Sequence, residues 1–217
     1  MKIRVLLVDD HQLMREGVVA LLSKAPDIEI VGGVCDGREA LDAARTLSPD
    51  VVVMDVAMPG LNGIEAARRL RIEYPRIRVV ALSMHSDARY VQHMLETGAC
   101  GYVLKLGAAE ELLQAIRAAS QGKTFLSPEI AGSVVQRSTG AVPQGPDSAY
   151  NSLGAREREV LQLVAEGKTS GEAAKQMHIS IKTVETHRRN IVQKLGLHGT
   201  AELTKYAIRQ GLTSLEA

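Results

Sequence analysis

Residues 51–60 read VVVMDVAMPG, and this stretch is the strongest indication of how the chain folds. Four consecutive apolar residues run directly into the carboxylate of Asp55, and Pro59 and Gly60 then mark a turn. A short continuous apolar run rich in valine is typical of a strand buried on both faces of a parallel sheet. We therefore expect Asp55 at the carboxyl end of a central strand.

Two other apolar runs end in the same way. Residues 5–8 lead into Asp9 and Asp10, and residues 102–104 lead into Lys105. The carboxyl ends of parallel strands meet at one edge of the sheet, and open α/β sheets bind their ligands there. The sequence therefore predicts that the three carboxylates and the lysine lie close together.

The chemistry of such a cluster favours a divalent cation with a phosphate. Three carboxylates held together repel one another, and an all-oxygen set of ligands suits Mg²⁺, which often shares its shell with a phosphate. Lys105 would balance the charge of an incoming phosphoryl group. The site is suited to accept a phosphate onto a carboxylate.

The surrounding sequence alternates strand and helix patterns five times. This alternation indicates a parallel sheet with helices on both faces, in a flavodoxin-like (βα)5 order. Strands are expected at 3–8, 28–35, 51–54, 77–82 and 101–104. Helices are expected at 13–22, 38–47, 64–74, 88–97 and 110–121.

The 217-residue chain is long enough for two modest domains. We predict a first domain over residues 1–122, a linker with a short helix from Ser127 to Arg137 over 123–150, and a second domain over 151–217. Residues 1–150 hold 16 Lys and Arg against 18 Asp and Glu, and residues 151–217 hold 10 against 7, so only the second part is net basic.

The second domain is predicted to be a small all-α unit of four helices. The second and third helices would form a helix-turn-helix, with Ser170 and Ser180 as their N-terminal caps. Gly196 would end the third helix. The expected helices cover 156–165, 170–178, 180–195 and 200–210.

The helix over 180–195 has an apolar face and a polar face. Ile181, Val184, Ile191 and Leu195 are expected in the core. The opposite face carries a polar stripe that could contact base edges in a major groove, flanked by two cations suited to phosphates. The stripe consists of Lys182, Glu185, Thr186 and Arg189, and the flanking residues are Arg188 and Lys194.

Taken together, the first-domain motifs resemble the receiver domain of two-component response regulators. The resemblance implies that Asp55 accepts a phosphoryl group from a sensor histidine kinase. It also implies that Asp10 and Asp55 bind Mg²⁺ directly, Asp9 largely through water, and Ala57 through its main-chain carbonyl. Ser83 would bond the phosphoryl oxygen, Tyr102 would change rotamer, and Lys105 would contact the phosphate.

Over its whole length the chain resembles the NarL/FixJ group, in which a LuxR-type helix-turn-helix follows the receiver. By this resemblance Glu185, Thr186 and Arg189 contact bases, whereas Lys182, Thr183, His187 and Arg188 lie at or near the DNA backbone. The resemblance implies a homodimer that forms on phosphorylation or on promoter DNA and is often paired through the last helix. This chain departs from the group at Gly154-Ala155 and at Ser170-Gly171-Glu172-Ala173, which predicts a weaker cap and a lost lysine contact.

These expectations describe a cytoplasmic, phosphorylation-switched transcription factor that is not an enzyme and has no membrane segment. Two alternatives remain. One is a phosphorylation-independent DNA-binding or adaptor protein with a vestigial receiver site, and the other is a phosphohydrolase with an aspartyl-phosphate intermediate. Cys35 and Cys100 are interpreted as reduced core thiols. His85 either lies over the phosphoryl site or faces solvent in a loop.

Overall fold

The computed structural model describes residues 2–107, 109–132 and 148–213, which belong to two compact units. The first unit spans Met1–Val142 and the second spans Pro143–Ala217. Each unit has its own hydrophobic core.

The first unit is built on a parallel sheet of six strands in the order β2-β1-β3-β4-β5-β6. The first five strands follow the flavodoxin-like order, so the predicted fold class is confirmed. The central strand β3 is buried along its whole length, which explains its continuous apolar run. The strands are β1 Ile3–Val8, β2 Ile28–Val34, β3 Val51–Asp55, β4 Arg78–Ser83, β5 Gly101–Leu104 and β6 Phe125–Leu126.

Five helices cover the two faces of this sheet. Alternate residues of β3 enter different cores: Val52 packs in one cluster with Ala67 of α3, and Val53 packs in another with Ile116 of α5. The face with α3 also carries α2 and α4, whereas α1 and α5 cover the other face. The helices are α1 Gln12–Leu22, α2 Gly37–Leu47, α3 Gly63–Glu73, α4 Ala88–Glu96 and α5 Ala109–Ser120.

The start of α3 is fixed against the end of β3. Asn62 caps the helix by accepting a hydrogen bond from the backbone of Glu65. Gly63 follows, and a Cβ atom built on it would lie 1.9 Å from the main-chain oxygen of Asp55. Only glycine allows the helix to approach the acidic strand end so closely.

The sixth strand, β6, was not predicted from the sequence. Its two residues pair in parallel with β5, with Tyr102 opposite Leu126. A helical segment, α6, follows at residues 128–132, and the rest of the predicted helix to Arg137 lies outside the described residues. A two-residue strand carries too little pattern to be recognised from its sequence.

The interpretation of both cysteines as core thiols was wrong for Cys35. Its side chain is exposed, and its Sγ lies 3.2 Å from Glu39 Oε2. Strand β2 ends at Val34, one residue earlier than expected, so Cys35 belongs to the following loop. Cys100 is half-buried at the start of β5.

The second unit is all helical, as predicted. A short helix that was not predicted, α7 at Ser148–Asn151, precedes the four expected ones. Tyr150 of this helix and Leu153 just after it contribute to the core together with Val160 and Val184. The four expected helices are α8 Ala155–Ala165, α9 Ser170–Met177, α10 Ile181–Leu195 and α11 Thr200–Arg209.

The helix boundaries depend on local capping. The expectation that Ser170 caps α9 was wrong: Thr169 is the cap, and Glu172 completes a capping box with it. Ser180 caps α10 by accepting a hydrogen bond from the backbone of Thr183, and Gly196 ends that helix in the left-handed conformation, with φ of 65°. Both of those expectations were correct.

Candidate functional site

Three strand ends place their charged side chains in one buried cluster. Asp9 and Asp10 follow β1, Asp55 ends β3, and Lys105 follows β5. Lys105 Nζ lies 2.6 Å from Asp55 Oδ2 and 2.7 Å from Asp9 Oδ2. One ammonium therefore bridges two carboxylates, and the structure brings together the residues that the sequence placed at one edge of the sheet.

Burial makes the charge on Asp55 costly. The residue is only 4% exposed, and desolvation raises the pKa of its carboxyl to about 6, although Lys105 opposes the shift. Burial alone would lower the pKa of Lys105, but the adjacent Asp55 and Asp9 outweigh it and raise that pKa. The acidic cluster is short of positive charge, since its one buried ammonium contacts two of the three carboxylates, and the third, Asp10, lies 3.0 Å from the imidazole Nδ1 of His11.

The donor atoms of the cluster fit a hard divalent cation. Asp9, Asp10, His11 and Asp55 each offer a ligand atom, and these atoms lie within 4.8 Å of one another. Carboxylate oxygens are the ligands that Mg²⁺ prefers. The backbone N–H of Ala57 donates to Asp55 Oδ1 at 3.3 Å, which holds the loop that carries the predicted carbonyl ligand beside the acidic end of β3.

Ser83 occupies the neighbouring strand end, that of β4. Its side chain is fully buried, and its Oγ accepts a hydrogen bond of 3.1 Å from the backbone N–H of His85. The backbone N–H of Lys105 donates to the Ser83 carbonyl at 2.8 Å, so the end of β4 is attached to the end of β5. The hydroxyl is therefore held next to the strand that carries the bridging lysine.

Tyr102 is buried on β5 with its hydroxyl engaged. The phenol donates to the carbonyl of His85 at 2.7 Å. Desolvation raises the pKa of Tyr102 well above its usual value, despite a hydrogen bond with Ser83, so the hydroxyl stays protonated. The inward rotamer of this aromatic residue is thus linked to the loop after β4.

His85 has a contact that neither interpretation of it considered. Its ring stacks on Tyr90 of α4, with centroids 4.4 Å apart and an angle of 9° between the planes. The residue is half-buried. The stack attaches the loop after β4 to α4, and sequence reasoning missed it because Tyr90 lies on an ordinary helical pattern.

Ser127, directly after β6, is hydrogen-bonded to the backbone of β5. The backbone N–H of Ser127 donates to the Tyr102 carbonyl at 3.0 Å, and Ser127 Oγ accepts from the backbone N–H of Leu104 at 3.3 Å. The same hydroxyl donates to Glu111 of α5. These contacts were also missed, since a serine before a proline indicates only a helix start.

In the second unit, α10 presents the polar face expected of it. Residues that were predicted to contact bases or the DNA backbone are exposed along one side, and two others are half-buried at its edge. Thr186 Oγ1 donates to the Lys182 carbonyl at 2.9 Å, so this hydroxyl is bonded within its own helix. The exposed residues are Lys182, Thr183, Glu185, Thr186 and Arg189, and the half-buried ones are His187 and Arg188.

Lys194 is engaged within its own unit. Its Nζ lies 2.7 Å from Glu157 Oε2 and donates to the Ser152 carbonyl at 3.0 Å. Burial would raise the pKa of Glu157, but Lys194 and the backbone N–H of Gly154 lower it below its usual value. The ion pair attaches α10 to the start of α8, so a contact between Lys194 and phosphate would require this pair to open.

Gly154 supplies no side chain to cap α8, as expected from the departure at this position. The helix is capped in the reverse direction, because Glu157 accepts a hydrogen bond of 2.8 Å from the backbone N–H of Gly154. Glu157 therefore serves both the helix start and the ion pair with Lys194.

One core expectation on α10 was wrong. Val184 and Ile191 are buried and Leu195 packs at the edge of the core, but Ile181 is 53% exposed. Ile181 is the first residue of the helix, where the helical pattern has no preceding turn to define which side it faces. His178 and His198 are exposed near helix ends.

Comparison with known families agrees with both units. A response regulator receiver domain matches residues 5–117, and the luxR family of bacterial regulatory proteins matches residues 151–207. The chain is a DNA-binding response regulator of the LuxR type. Its two matched domains appear in the same order as in the NarL/FixJ group that the sequence resembles.

Relatives match the regulator over nearly its full length. It is 41% identical over 216 residues to the transcriptional regulatory protein LiaR of Bacillus subtilis, covering 98% of this chain and 100% of that protein. It is 34% identical over 214 residues to the response regulator UvrY of Escherichia coli, and the match covers 99% of this chain and 97% of that protein.

Solved structures agree with this assignment. A LuxR-family response regulator from Aurantimonas sp. has a TM-score of 0.62 at 37% identity and covers 64% of this chain and 99% of its own. A complex of the response regulator RcsB with DNA has a TM-score of 0.61 at 25% identity, and the match covers 97% of this chain and 99% of the RcsB chain. Among the described residues of the regulator, no helix is both long and apolar enough to cross a bilayer.

Proposed function

We propose that the regulator is a transcription factor switched by Mg²⁺-dependent phosphorylation of Asp55 by a sensor histidine kinase. The observation that carries the proposal is the buried cluster in which Lys105 bridges Asp9 and Asp55. A solvated acidic loop would need neither the burial nor the shared ammonium. The receiver family of the first unit supports the same chemistry.

The proposed reaction is transfer of a phosphoryl group to the Asp55 carboxylate. An oxygen of Asp55 attacks phosphorus, the bond from phosphorus to the kinase histidine nitrogen breaks, and that nitrogen keeps the electron pair. When bound to Asp10 and Asp55, with Asp9 acting largely through water, Mg²⁺ would offset negative charge on the transferring group. Lys105 moves its ammonium from the carboxylates toward the new phosphoryl oxygens.

The phosphoryl group is expected to act on the two hydroxyl residues beside it. The Ser83 hydroxyl would donate to a phosphoryl oxygen and, because its Oγ also accepts from the His85 backbone N–H, would draw the loop after β4 with it. Movement of that loop would change the position of the His85 carbonyl, to which Tyr102 donates at 2.7 Å. A local change of charge would thus alter the surface that α4, β5 and α5 share.

The output is sequence-selective binding of double-stranded promoter DNA through α10, by a homodimer. Dimers of RcsB occur on DNA in solved structures, and those structures resemble this chain over 97% of its length. Glu185, Thr186 and Arg189 contact bases, and Lys182, Thr183, His187 and Arg188 contact or approach the backbone. Such a protein acts where the chromosome is, in the cytoplasm.

We further propose that the regulator is not an enzyme in the sense of releasing product from a separate substrate. The phosphoryl group that reaches Asp55 is the signal, and its only chemical fate is hydrolysis from Asp55 itself. Rapid turnover of small phosphate esters would contradict this view.

The test is phosphoryl uptake by the full chain from acetyl phosphate, followed by intact mass spectrometry with and without Mg²⁺. The wild type is expected to gain one phosphoryl group only with Mg²⁺, and Asp55→Asn none. Asp42→Asn removes an exposed carboxylate of α2 and should label like the wild type. Persistent stoichiometric labelling of Asp55→Asn would sink the assignment.

The same variants test the output. Light scattering and DNA affinity are measured with and without beryllofluoride, a phosphoryl mimic. A gain in dimer mass or DNA affinity only in proteins that retain Asp55 supports the switch. Equal mass and equal affinity under all conditions, with the mimic bound by fluorine NMR, would refute it.

A further inference from the structure

Ile181 is an exposed apolar residue at the end of the DNA-facing helix. It is the first residue of α10, directly after the Ser180 cap, and 53% of its surface is open to solvent. The core of the second unit is complete without it, since Val184 and Ile191 supply the buried face of the helix.

Its neighbours leave about half of the side chain open to solvent. On α9, a Cβ atom built on Gly171 would lie 4.0 Å from Ile181 Cδ1, so the glycine at this position adds no side chain over Ile181. On α10 itself, Lys182 is adjacent and Glu185 lies one turn further on the same side. Ile181 therefore forms the apolar end of the polar stripe.

The position of this side chain restricts what it can contact on DNA. In helix-turn-helix proteins the N-terminal residues of the recognition helix contact base edges. Removing apolar surface from water is favourable when an apolar partner replaces the water. The apolar group that the major groove offers is the C5-methyl of thymine.

We propose that Ile181 contacts the methyl group of one thymine in each half-site. It adds an apolar element to recognition by Glu185, Thr186 and Arg189. This inference rests on α10 being the helix that enters the groove, and the experiment tests that assignment separately.

The experiment uses the full chain with Mg²⁺ and beryllofluoride on duplexes selected by the wild type from a random pool. Each thymine is replaced in turn by deoxyuridine, which keeps the base pair and removes the methyl group. At one position in each half-site, a single replacement is expected to weaken wild-type binding about four-fold, which is the effect of no longer burying one methyl group. In Ile181→Ala the same replacement is expected to have no effect.

Two further variants distinguish this contact from the remaining contacts of α10. Thr186→Ser removes the methyl group of the stripe's threonine and should leave the deoxyuridine penalty at the Ile181 position unchanged. Arg189→Ala should abolish selective binding, which establishes α10 in the groove whether or not Ile181 contacts a methyl group.

Three results would overturn the inference. One is a deoxyuridine penalty that is the same in Ile181→Ala and in the wild type. Another is a loss of affinity in Ile181→Ala that is equal on all duplexes, because this would place the side chain against the sugar-phosphate backbone. The third is the absence of any methyl-dependent position in the selected sites.

Discussion

Replacing Asp55, the proposed phosphoryl acceptor, should make the receiver more stable when no metal is bound. Asp55 is 4% exposed and the pKa of its carboxyl is raised from 3.8 to about 6 in the folded protein. An acid with a raised folded pKa contributes full stability only below its unfolded pKa. That contribution is lost as the pH rises through the folded pKa.

The magnitude follows from this shift of about two pKa units. At about 1.4 kcal/mol per unit, the Asp55 carboxyl costs up to about 3 kcal/mol of stability at pH 7.5, where it is ionised in the folded protein, and roughly 1 kcal/mol at pH 4.5, where mainly the unfolded chain ionises. Asp55→Asn keeps the shape and removes the charge, and Lys105 keeps Asp9 as its partner at 2.7 Å. The variant should therefore gain about 2–3 kcal/mol at pH 7.5 and much less at pH 4.5.

Amide hydrogen exchange with EDTA present is the suitable assay, because it reports on the receiver independently of the second unit. Protection of β1 and β3 should be higher in Asp55→Asn than in the wild type at pH 7.5, and the difference should shrink at pH 4.5. Saturating Mg²⁺ should also shrink it, because the wild type gains more from binding. Asp42→Asn, which alters an exposed carboxylate, should change little at either pH.

A destabilised Asp55→Asn at pH 7.5 would refute the reasoning. It would mean that the Lys105 ion pair contributes more than burial of the charge costs. A gain of equal size at both pH values would also refute it, because the effect would then come from packing and not from ionisation.

Tyr102→Phe removes the hydrogen bond to the His85 carbonyl and should cost about 1 kcal/mol of local stability. The measurement is amide exchange in the loop after β4, which should become faster. Unchanged exchange there would show that this bond does not stabilise the loop. Gly63→Ala places a Cβ atom 1.9 Å from the Asp55 carbonyl oxygen, so it should lower both the melting temperature and phosphoryl uptake. Wild-type uptake at wild-type stability would contradict the close approach. Thr169→Ala removes the capping hydroxyl of α9 and should cost the second unit about 1 kcal/mol in thermal unfolding, with Thr169→Ser as the control that keeps it.

Much of the fold and of the candidate site could be predicted because their signals are local. The apolar run of β3 and the carboxylate that ends it lie side by side in the sequence, and parallel strands necessarily bring such ends together. The position of Lys105 beside Asp55 follows from that geometry alone. Ser180 and Gly196 likewise identify the ends of α10 through capping chemistry that involves only neighbouring residues.

The features that were missed depend on contacts between distant residues. Strand β6 has two residues and exists because β5 offers an edge. The stack of His85 on Tyr90 depends on the path of a loop. Ile181 follows a helical apolar pattern, but it is the first residue of α10 and is 53% exposed. Such errors fall at strand edges and helix starts, where periodicity is least informative.

Strand β5 connects the acidic cluster to residues 125–127, which follow α5 in the receiver. Its carboxyl end carries Lys105, and its centre carries Tyr102, whose carbonyl accepts a bond from Ser127. Leu104 donates to the hydroxyl of the same serine. Because these hydrogen bonds join the backbone of β5 to residues 125–127, a shift of the β5 backbone would either break them or move those residues. Side-chain movements of Lys105 and Tyr102 leave these bonds intact, so only a switch that displaces the β5 backbone would reach the start of the linker.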